Sequence, residues 1–183
     1  MAALAPGTLL VAEPFLKDPN FLRSVVLLCE HGEEGSVGFV LTRRHKQNLS
    51  QLIPELREKN WPLFYGGPVQ TDSLHFIHQY PRLIPGSKEI KKGIWWGGDF
   101  STVIDLLKED TLEPTHLRFF VGYSGWEPDQ LNEELQQNSW LTTPAQSSLV
   151  FHSKPQETWN ETLKKMGDQY AMMINFPIDP QLN

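Results

Sequence analysis

The 183-residue chain is 39% hydrophobic and 21% charged, a balance typical of globular proteins and not of disordered chains. Its formal net charge of -6 disfavours non-specific binding to nucleic acid, because such binding depends on lysine and arginine side chains that neutralise phosphates. No apolar run approaches the roughly 20 residues that span a bilayer, and the N-terminus lacks a basic segment followed by an apolar stretch. We therefore expect a single domain over residues 1–183, cytoplasmic, with no membrane or secretory segment.

Four short runs of branched and aromatic residues predict strands in the first half of the chain. These runs are residues 7–12, 24–30, 37–41 and 63–65. The turn residues 31–35 predict that the second and third strands form a hairpin. The basic cluster 43–46 is predicted to lie in a turn. The apolar spacing within residues 49–56 predicts a helix that begins close to Ser50, because Pro54 is tolerated only near a first turn.

The second half of the chain alternates predicted strands with predicted helices. Strands are predicted at residues 72–79, 90–96, 117–121 and 148–151. Asp99 is a suitable N-cap for a helix with an apolar stripe, and a later helix over residues 157–166 is predicted to end at Gly167. Between them, residues 122–126 predict a tight aromatic turn before a helix whose first turn contains Pro128. Strands followed by a mixture of strands and helices predict an α+β fold.

Several motifs, by their order and spacing, resemble those of the AlgH/YqgE family of bacterial proteins. They include Gly7-Thr8-Leu9-Leu10-Val11-Ala12, Tyr65-Gly66-Gly67-Pro68-Val69, Gly122-Tyr123-Ser124-Gly125-Trp126 and the closing Pro177-Ile178-Asp179-Pro180-Gln181-Leu182-Asn183. The resemblance covers nearly the whole chain. It implies a mostly antiparallel, strongly bent sheet that forms a partial barrel flanked by helices. Where family members usually carry Asn-Arg-Pro, this chain has Thr42-Arg43-Arg44, so only Arg43 matches.

The motifs for catalysis and for metal binding are incomplete. Ser124 lacks the glycine that a hydrolase nucleophile elbow requires at the position of Trp126, and the family it resembles commonly has alanine in place of the serine. His75 and His78 are predicted on opposite faces of a strand, which disfavours a shared metal ion. Cys29 lies in an apolar run and is predicted to be a small buried hydrophobe. We therefore predict no catalytic residue, no metal and no cofactor.

The tryptophans and the glycine-rich turns favour a binding groove near the aromatic motif. Trp126 is predicted to anchor that motif to the core of the protein. The candidate binding residues are Arg43, Gly66, Gly67, Trp96, Tyr123 and Trp126. The leading hypothesis is a non-enzymatic protein that binds a protein or small-molecule partner and regulates only indirectly. A second hypothesis is an enzyme with a site assembled from Glu30, His31, Arg43 and Asp72. A third is a direct nucleic-acid-binding transcriptional regulator, as members of that family are sometimes described, although no helix-turn-helix is evident.

Overall fold

One curved sheet of ten strands dominates the computed structural model, which describes residues 4–178. The end of the closing motif, residues 179–183, lies outside the described residues. The strands are Thr8–Ala12 (β1), Val25–Gly32 (β2), Gly35–Val40 (β3), Arg44–Asn48 (β4), Pro62–Tyr65 (β5), Val69–His78 (β6), Lys88–Lys91 (β7), Ile94–Trp96 (β8), Leu117–Trp126 (β9) and Trp140–Pro144 (β10).

Short helices flank this sheet. The α-helices are Leu49–Leu52 (α1), Phe100–Lys108 (α2), Gln130–Gln136 (α3), Ser147–Val150 (α4), Thr158–Met166 (α5) and Asp168–Ala171 (α6), and the 3-10 helices are Pro54–Leu56, Pro155–Glu157 and Met172–Asn175. None of the helices within residues 4–178 combines the length and the apolar composition needed to cross a membrane.

The strand order is β10-β1-β2-β3-β9-β6-β8-β7, and every pairing along this path is antiparallel. β4 pairs only with β5, which in turn pairs with β9 in parallel. The sheet curls into a half-barrel with helices around it. The prediction of an α+β fold with a mostly antiparallel, strongly bent sheet is therefore confirmed.

β9 is the central strand, and two different strands share one of its edges. β6 pairs with β9 over most of its length, while β5 pairs with residues 119–121 and β3 with residues 124–126. The backbone of Gly66 joins these strands at the branch point: its N–H donates to the Val121 oxygen at 2.9 Å, and its oxygen accepts from the Val40 N–H at 2.9 Å and from the Ser124 hydroxyl at 3.0 Å. The branch point therefore forms where the two glycine motifs meet.

Only glycine fits where the two motifs cross. A Cβ atom added at Gly66 or Gly67 would lie far inside contact distance of the backbone of Gly122 or Tyr123. A Cβ added at Gly122 would lie 2.6 Å from the Gly67 oxygen, and Gly122 also has a φ of +67°, which residues with side chains rarely adopt. The predicted tight turn at residues 122–126 is wrong, because Gly122 bends the backbone without ending β9, which continues to Trp126.

Three apolar clusters fill the space between the sheet and its helices. One includes Trp159 and Leu163 of α5, a second includes the buried face of α2, and the third surrounds Trp126 and Trp140. Trp126 is 5% exposed, which confirms the prediction that it is anchored in the core. Cys29 is fully buried in the first cluster, which confirms that it packs as a small hydrophobe.

Local signals located two helices correctly. Asp99 caps α2 by accepting from the Thr102 N–H at 2.8 Å, and Gly167 ends α5 with a φ of 121°. The helix predicted within residues 49–56 is instead split in two, because Ile53 is extended before Pro54, as residues that precede proline usually are.

Other predicted boundaries need correction. The basic cluster 43–46 is not a turn, since most of it belongs to β4. The strand predicted at residues 90–96 is a hairpin of β7 and β8 that turns at Gly93, whose φ is 83°. The strand predicted at residues 148–151 is largely α4, and Pro128 lies before α3, not in its first turn. No strand was predicted at β10, which pairs with β1 at an end of the sheet.

Candidate functional site

A cleft of about 410 Å³ lies between the β2–β3 hairpin and the C-terminal end of β9, and we call it the hairpin cleft. Its lining residues are Glu30, Glu34, Gly35, Ser36, Val37, Val69, Tyr123, Gly125, Trp126, Glu127 and Gln130. Two smaller clefts of about 310 and 320 Å³ adjoin it and share the tip of the same hairpin. The concave features described here therefore gather on one side of the molecule.

The pairing of β3 with β9 builds the hairpin cleft from two distant parts of the chain. Ser36 lies opposite Trp126 and Val37 opposite Gly125 in the antiparallel register. Gly35 has a φ of +117° and lies against the Trp126 carbonyl, where a Cβ atom would collide with the oxygen. The hairpin can therefore pack against the end of β9 with the acidic residues of both segments facing a common space.

Carboxylates dominate the charge of the hairpin cleft. Glu30, Glu34 and Glu127 line it, and all three residues are exposed. Glu30 forms an ion pair with Lys88, whose Nζ lies 3.0 Å from its Oε1. Because both of those side chains are about half exposed, the ion pair contributes little to stability and leaves the surface open to other cations.

The aromatic wall of the hairpin cleft is held rigidly from behind. The indole N–H groups of Trp126 and Trp140 donate to the same Glu134 oxygen, at 2.9 and 2.7 Å. Phe21 stacks on Trp126 with a ring separation of 6.0 Å, and Tyr123 is the more accessible member of the wall. Trp126 therefore offers the cleft an apolar surface, because its polar group is already occupied inside the protein.

His31 and Ser36 tie the hairpin together at the edge of the cleft. The His31 Nδ1 atom lies 2.8 Å from the Ser36 hydroxyl, across the β2–β3 pair. This contact holds the side chain of His31 beside the adjoining cleft of about 310 Å³, which also contains Glu127 and Asp129. The hairpin tip is consequently a fixed surface that presents carboxylates.

The structure distributes the six predicted binding residues over four places. Tyr123 and Trp126 line the hairpin cleft, whereas Gly66 and Gly67 lie at the branch point. Neither Trp96 nor Arg43 lines the hairpin cleft, and the two lie at separate places.

Trp96 packs against Phe39, at a ring separation of 5.8 Å, and approaches the cleft only through Lys88, whose Nζ lies 5.8 Å from its ring centroid. Arg43 lies beyond the far end of β3 and donates to the Leu22 oxygen at 3.4 Å. The structure therefore brings together Tyr123 and Trp126 in the cleft and places Trp96 beside it.

The residues of the enzyme hypothesis do not assemble. Glu30 and His31 line the clefts at the hairpin, but Arg43 and Asp72 line neither the hairpin cleft nor the two that adjoin it. Ser124 is fully buried and its hydroxyl donates to the Gly66 oxygen. Burial raises the pKa of the Cys29 thiol far above its usual value, so the reactive thiolate is suppressed.

Sequence reasoning did not identify most of the cleft. Glu34, Val37, Val69 and Glu127 were not among the candidates, although they line it. The acidic residues of the β2–β3 hairpin and of the segment after β9 were visible in the sequence. Their meeting depends on the pairing of β3 with β9, for which no local pattern gives a signal.

The curled antiparallel sheet, the glycine branch point and the aromatic end of β9 define one class of small α+β protein. The sequence profile of the AlgH-like family matches residues 9–171, and the chain belongs to this family. A UPF0301 protein of Cytophaga hutchinsonii is 42% identical over 181 residues, which cover 98% of this chain and 100% of the relative. A UPF0301 protein of Chlorobium luteolum is 39% identical and covers 98% of this chain and 95% of its own length.

Two solved structures have a similar fold. The solution structure of the AlgH protein from Pseudomonas aeruginosa matches with a TM-score of 0.74 and 26% identity, over 97% of this chain and 98% of that one. The crystal structure of protein DIP2367 from Corynebacterium diphtheriae matches with a TM-score of 0.81 over 95% of this chain and 93% of that one. At 24% identity, the second likeness shows the fold alone. The resemblance found in the sequence motifs is confirmed.

Proposed function

We propose that the protein is a non-enzymatic, cytosolic binding protein whose hairpin cleft takes a positively charged segment of a partner protein. The observation that carries this proposal is the cleft, in which Tyr123 and Trp126 adjoin the carboxylates of Glu30, Glu34 and Glu127. A lysine or arginine side chain packs its apolar stem on an aromatic wall while its charged end meets carboxylates. Any regulatory effect is exerted through that partner and not by direct contact with DNA.

The charge of the whole chain supports this class of partner. With a net charge of -6, the protein attracts cationic segments and repels nucleic acid, and carboxylates around a cleft raise the rate at which a cationic segment associates. Adding salt is therefore expected to weaken the complex, because exposed charges are screened over about 8 Å at physiological ionic strength.

The buried state of the two candidate nucleophiles supports a binding role over catalysis. Ser124 uses its hydroxyl to hold the branch point, and Cys29 lies within the apolar core. Neither side chain reaches the hairpin cleft, where a substrate would bind. The residues that do line the cleft are acceptors and aromatic rings, which suit recognition of a cation.

The experiment that tests the proposal is a titration followed by amide NMR shifts. The isotope-labelled protein is titrated with a short peptide of alternating lysine and leucine, and separately with a peptide of equal length in which glutamate replaces lysine. We expect saturable shifts from the lysine peptide at Gly35, Val37, Tyr123 and Gly125. The glutamate peptide is expected to produce none at the same concentrations.

Matched variants locate the site. Glu34→Gln with Glu127→Gln removes two charges from the cleft, whereas Glu58→Gln with Glu109→Gln removes two exposed charges elsewhere. The first pair is expected to weaken binding and the second to preserve it. Equal weakening by both pairs would show that only net charge matters. Micromolar binding of duplex DNA at physiological salt would instead favour a direct transcriptional regulator.

A further inference from the structure

Arg118 is a buried cation that has no carboxylate partner among residues 4–178. It extends from β9 and is 4% exposed. Its guanidinium donates to the carbonyl oxygens of Leu41, at 3.3 Å, and His152, at 2.8 Å, and lies 4.3 Å from the Phe64 ring centroid. No arginine is a partner in the ion pairs found within residues 4–178. Buried charges in proteins are normally paired or bound to a ligand.

Two further arginines come from chain segments that run side by side near Arg118. The Leu41 N–H donates to the Val25 oxygen at 2.8 Å, so the residues that follow β3 lie beside those that precede β2. Arg43 then donates across this gap to the Leu22 oxygen, next to Arg23. The same Leu41 residue accepts from Arg118, so all three arginines belong to or contact two paired segments, residues 22–25 and 41–43.

Arg23 has a backbone conformation that needs an explanation. Its φ is 47°, in the left-handed region that residues other than glycine rarely adopt. Its guanidinium lies 5.1 Å from the Trp159 ring centroid and donates to the Phe176 oxygen. Strain of this kind concentrates at ligand sites and switches, where the surrounding structure fixes a side chain for a task.

Unsatisfied buried donors occur beside these arginines. The buried side-chain nitrogen and oxygen atoms without a hydrogen-bond partner within residues 4–178 are Arg23 Nε, Thr42 Oγ1 and Thr158 Oγ1. Thr42 lies between Leu41 and Arg43, and Thr158 precedes the tryptophan on which Arg23 packs. Such atoms are rare in native proteins, and each calls for a bound water, ion or ligand. All three are able to donate a hydrogen bond to an oxygen anion.

We propose that these side chains form an arginine site for a small oxyanion, a phosphate or carboxylate group. The site consists of Arg23, Thr42, Arg43, Arg118 and Thr158. Guanidinium groups match the oxygens of such anions in a bidentate geometry, and the two hydroxyls supply further donors. Arg23 and Arg43 are partly exposed, whereas Arg118 is buried. None of the five lines the hairpin cleft, so this inference is independent of the proposed function.

The test compares anions at equal ionic strength. Thermal unfolding midpoints of the full chain are measured in chloride, phosphate and acetate. We expect phosphate or acetate, or both, to raise the midpoint in a saturable way relative to chloride. The anion with the larger effect identifies whether the site prefers phosphate or carboxylate oxygens.

Three variants decide whether the effect belongs to the arginine site. Arg23→Lys keeps the charge but removes Nε and the fork, and Thr42→Val removes a hydroxyl without changing the shape of the side chain. Each is expected to lower the affinity for the anion about ten- to a hundredfold, the usual effect of losing a hydrogen bond to a charged group. Arg44→Lys, at the exposed neighbour of Arg43, is expected to bind as the wild type does.

Thr42→Val keeps the test decisive even if Arg23→Lys fails to fold, because the valine side chain has nearly the same shape as that of threonine. The inference is overturned if neither anion raises the midpoint above that in chloride. It is equally overturned if the response is the same in the wild type, in Thr42→Val and in Arg44→Lys, because the anions would then act on the whole surface.

Discussion

The branch point and the hairpin cleft are both built on β9, yet they differ in almost every physical respect. At the branch point, Gly66 and Gly67 meet Gly122 backbone to backbone, with no room for a side chain. A few residues farther along, the cleft presents Glu34 and Glu127 to solvent. The glycines that carry the family resemblance therefore hold the architecture, and the recognition that we propose depends on the acidic residues near them.

The largest effect is expected from a methyl group at the branch point. Gly67→Ala should cost about 4 kcal/mol or more, because a Cβ there collides with the backbone of Tyr123 and Ser124, which cannot move without separating the strands. Gly86→Ala is the matched control, since Gly86 also has a positive φ, of +74°, but has open space around it. Its cost should be only about 1–2 kcal/mol, from backbone strain alone. Urea midpoints compare the two, and equal losses would contradict the close crossing.

The next largest effect is expected at Trp126, in the aromatic wall of the hairpin cleft. Trp126→Ala should lower the free energy of unfolding by roughly 3–5 kcal/mol, as for other large buried side chains. Trp126→Phe keeps an aromatic ring against Phe21 and loses the hydrogen bond to Glu134 and part of the buried volume, so it should cost less. A loss below about 1 kcal/mol for the alanine variant would contradict the role of Trp126 as an anchor in the core.

The third effect is a pH dependence of the folding stability, which arises from the interior of the protein and not from the cleft. His78 donates from Nε2 to the Gly97 oxygen and accepts at Nδ1 from the Tyr80 N–H, both at 3.0 Å, an arrangement that requires the neutral ring. Burial lowers the pKa of His78 below its usual 6.5, despite the hydrogen bond to Gly97, which acts in the opposite direction. Near that pH the unfolded chain binds more protons, so the stability should fall as the pH falls below about 6.5.

Urea unfolding at about pH 7.5 and about pH 5.5 measures this dependence on either side of the usual histidine pKa. His78→Gln should be less stable overall and less sensitive to pH, because glutamine does not titrate. His116→Gln, at an exposed position, should keep the dependence of the wild type. An unchanged slope in His78→Gln would assign the proton uptake to another group.

Local chemistry explains which parts of the fold could be predicted from the sequence. The cap at Asp99 and the end of α5 at Gly167 depend on neighbouring residues, so their signals are short-range. β9 was predicted to end at residue 121 because Gly122 and Gly125 are typical of a turn, but pairing with strands on both edges continues beyond the bend at Gly122. Tertiary pairing overrode the local preference.

The candidate site was harder to predict for the same reason. Tyr123 and Trp126 were found because they belong to a motif, whereas Glu34 and Glu127 became neighbours only through the register of β3 on β9. The brief strand β10 was missed because Thr142, Thr143 and Pro144 resemble a loop until they pair with β1. Long-range pairing, and not composition, determines both the edge of the sheet and the walls of the cleft.

The most direct test measures stability and binding in one variant, Glu34→Gln with Glu127→Gln. If the cleft carries recognition and the branch point carries architecture, the free energy of unfolding should change by less than about 0.5 kcal/mol, as for other exposed substitutions. The affinity for the lysine peptide should fall at least about tenfold, and the loss should shrink in high salt. A variant that unfolds easily, or one that binds the peptide as tightly as the wild type, would contradict this division.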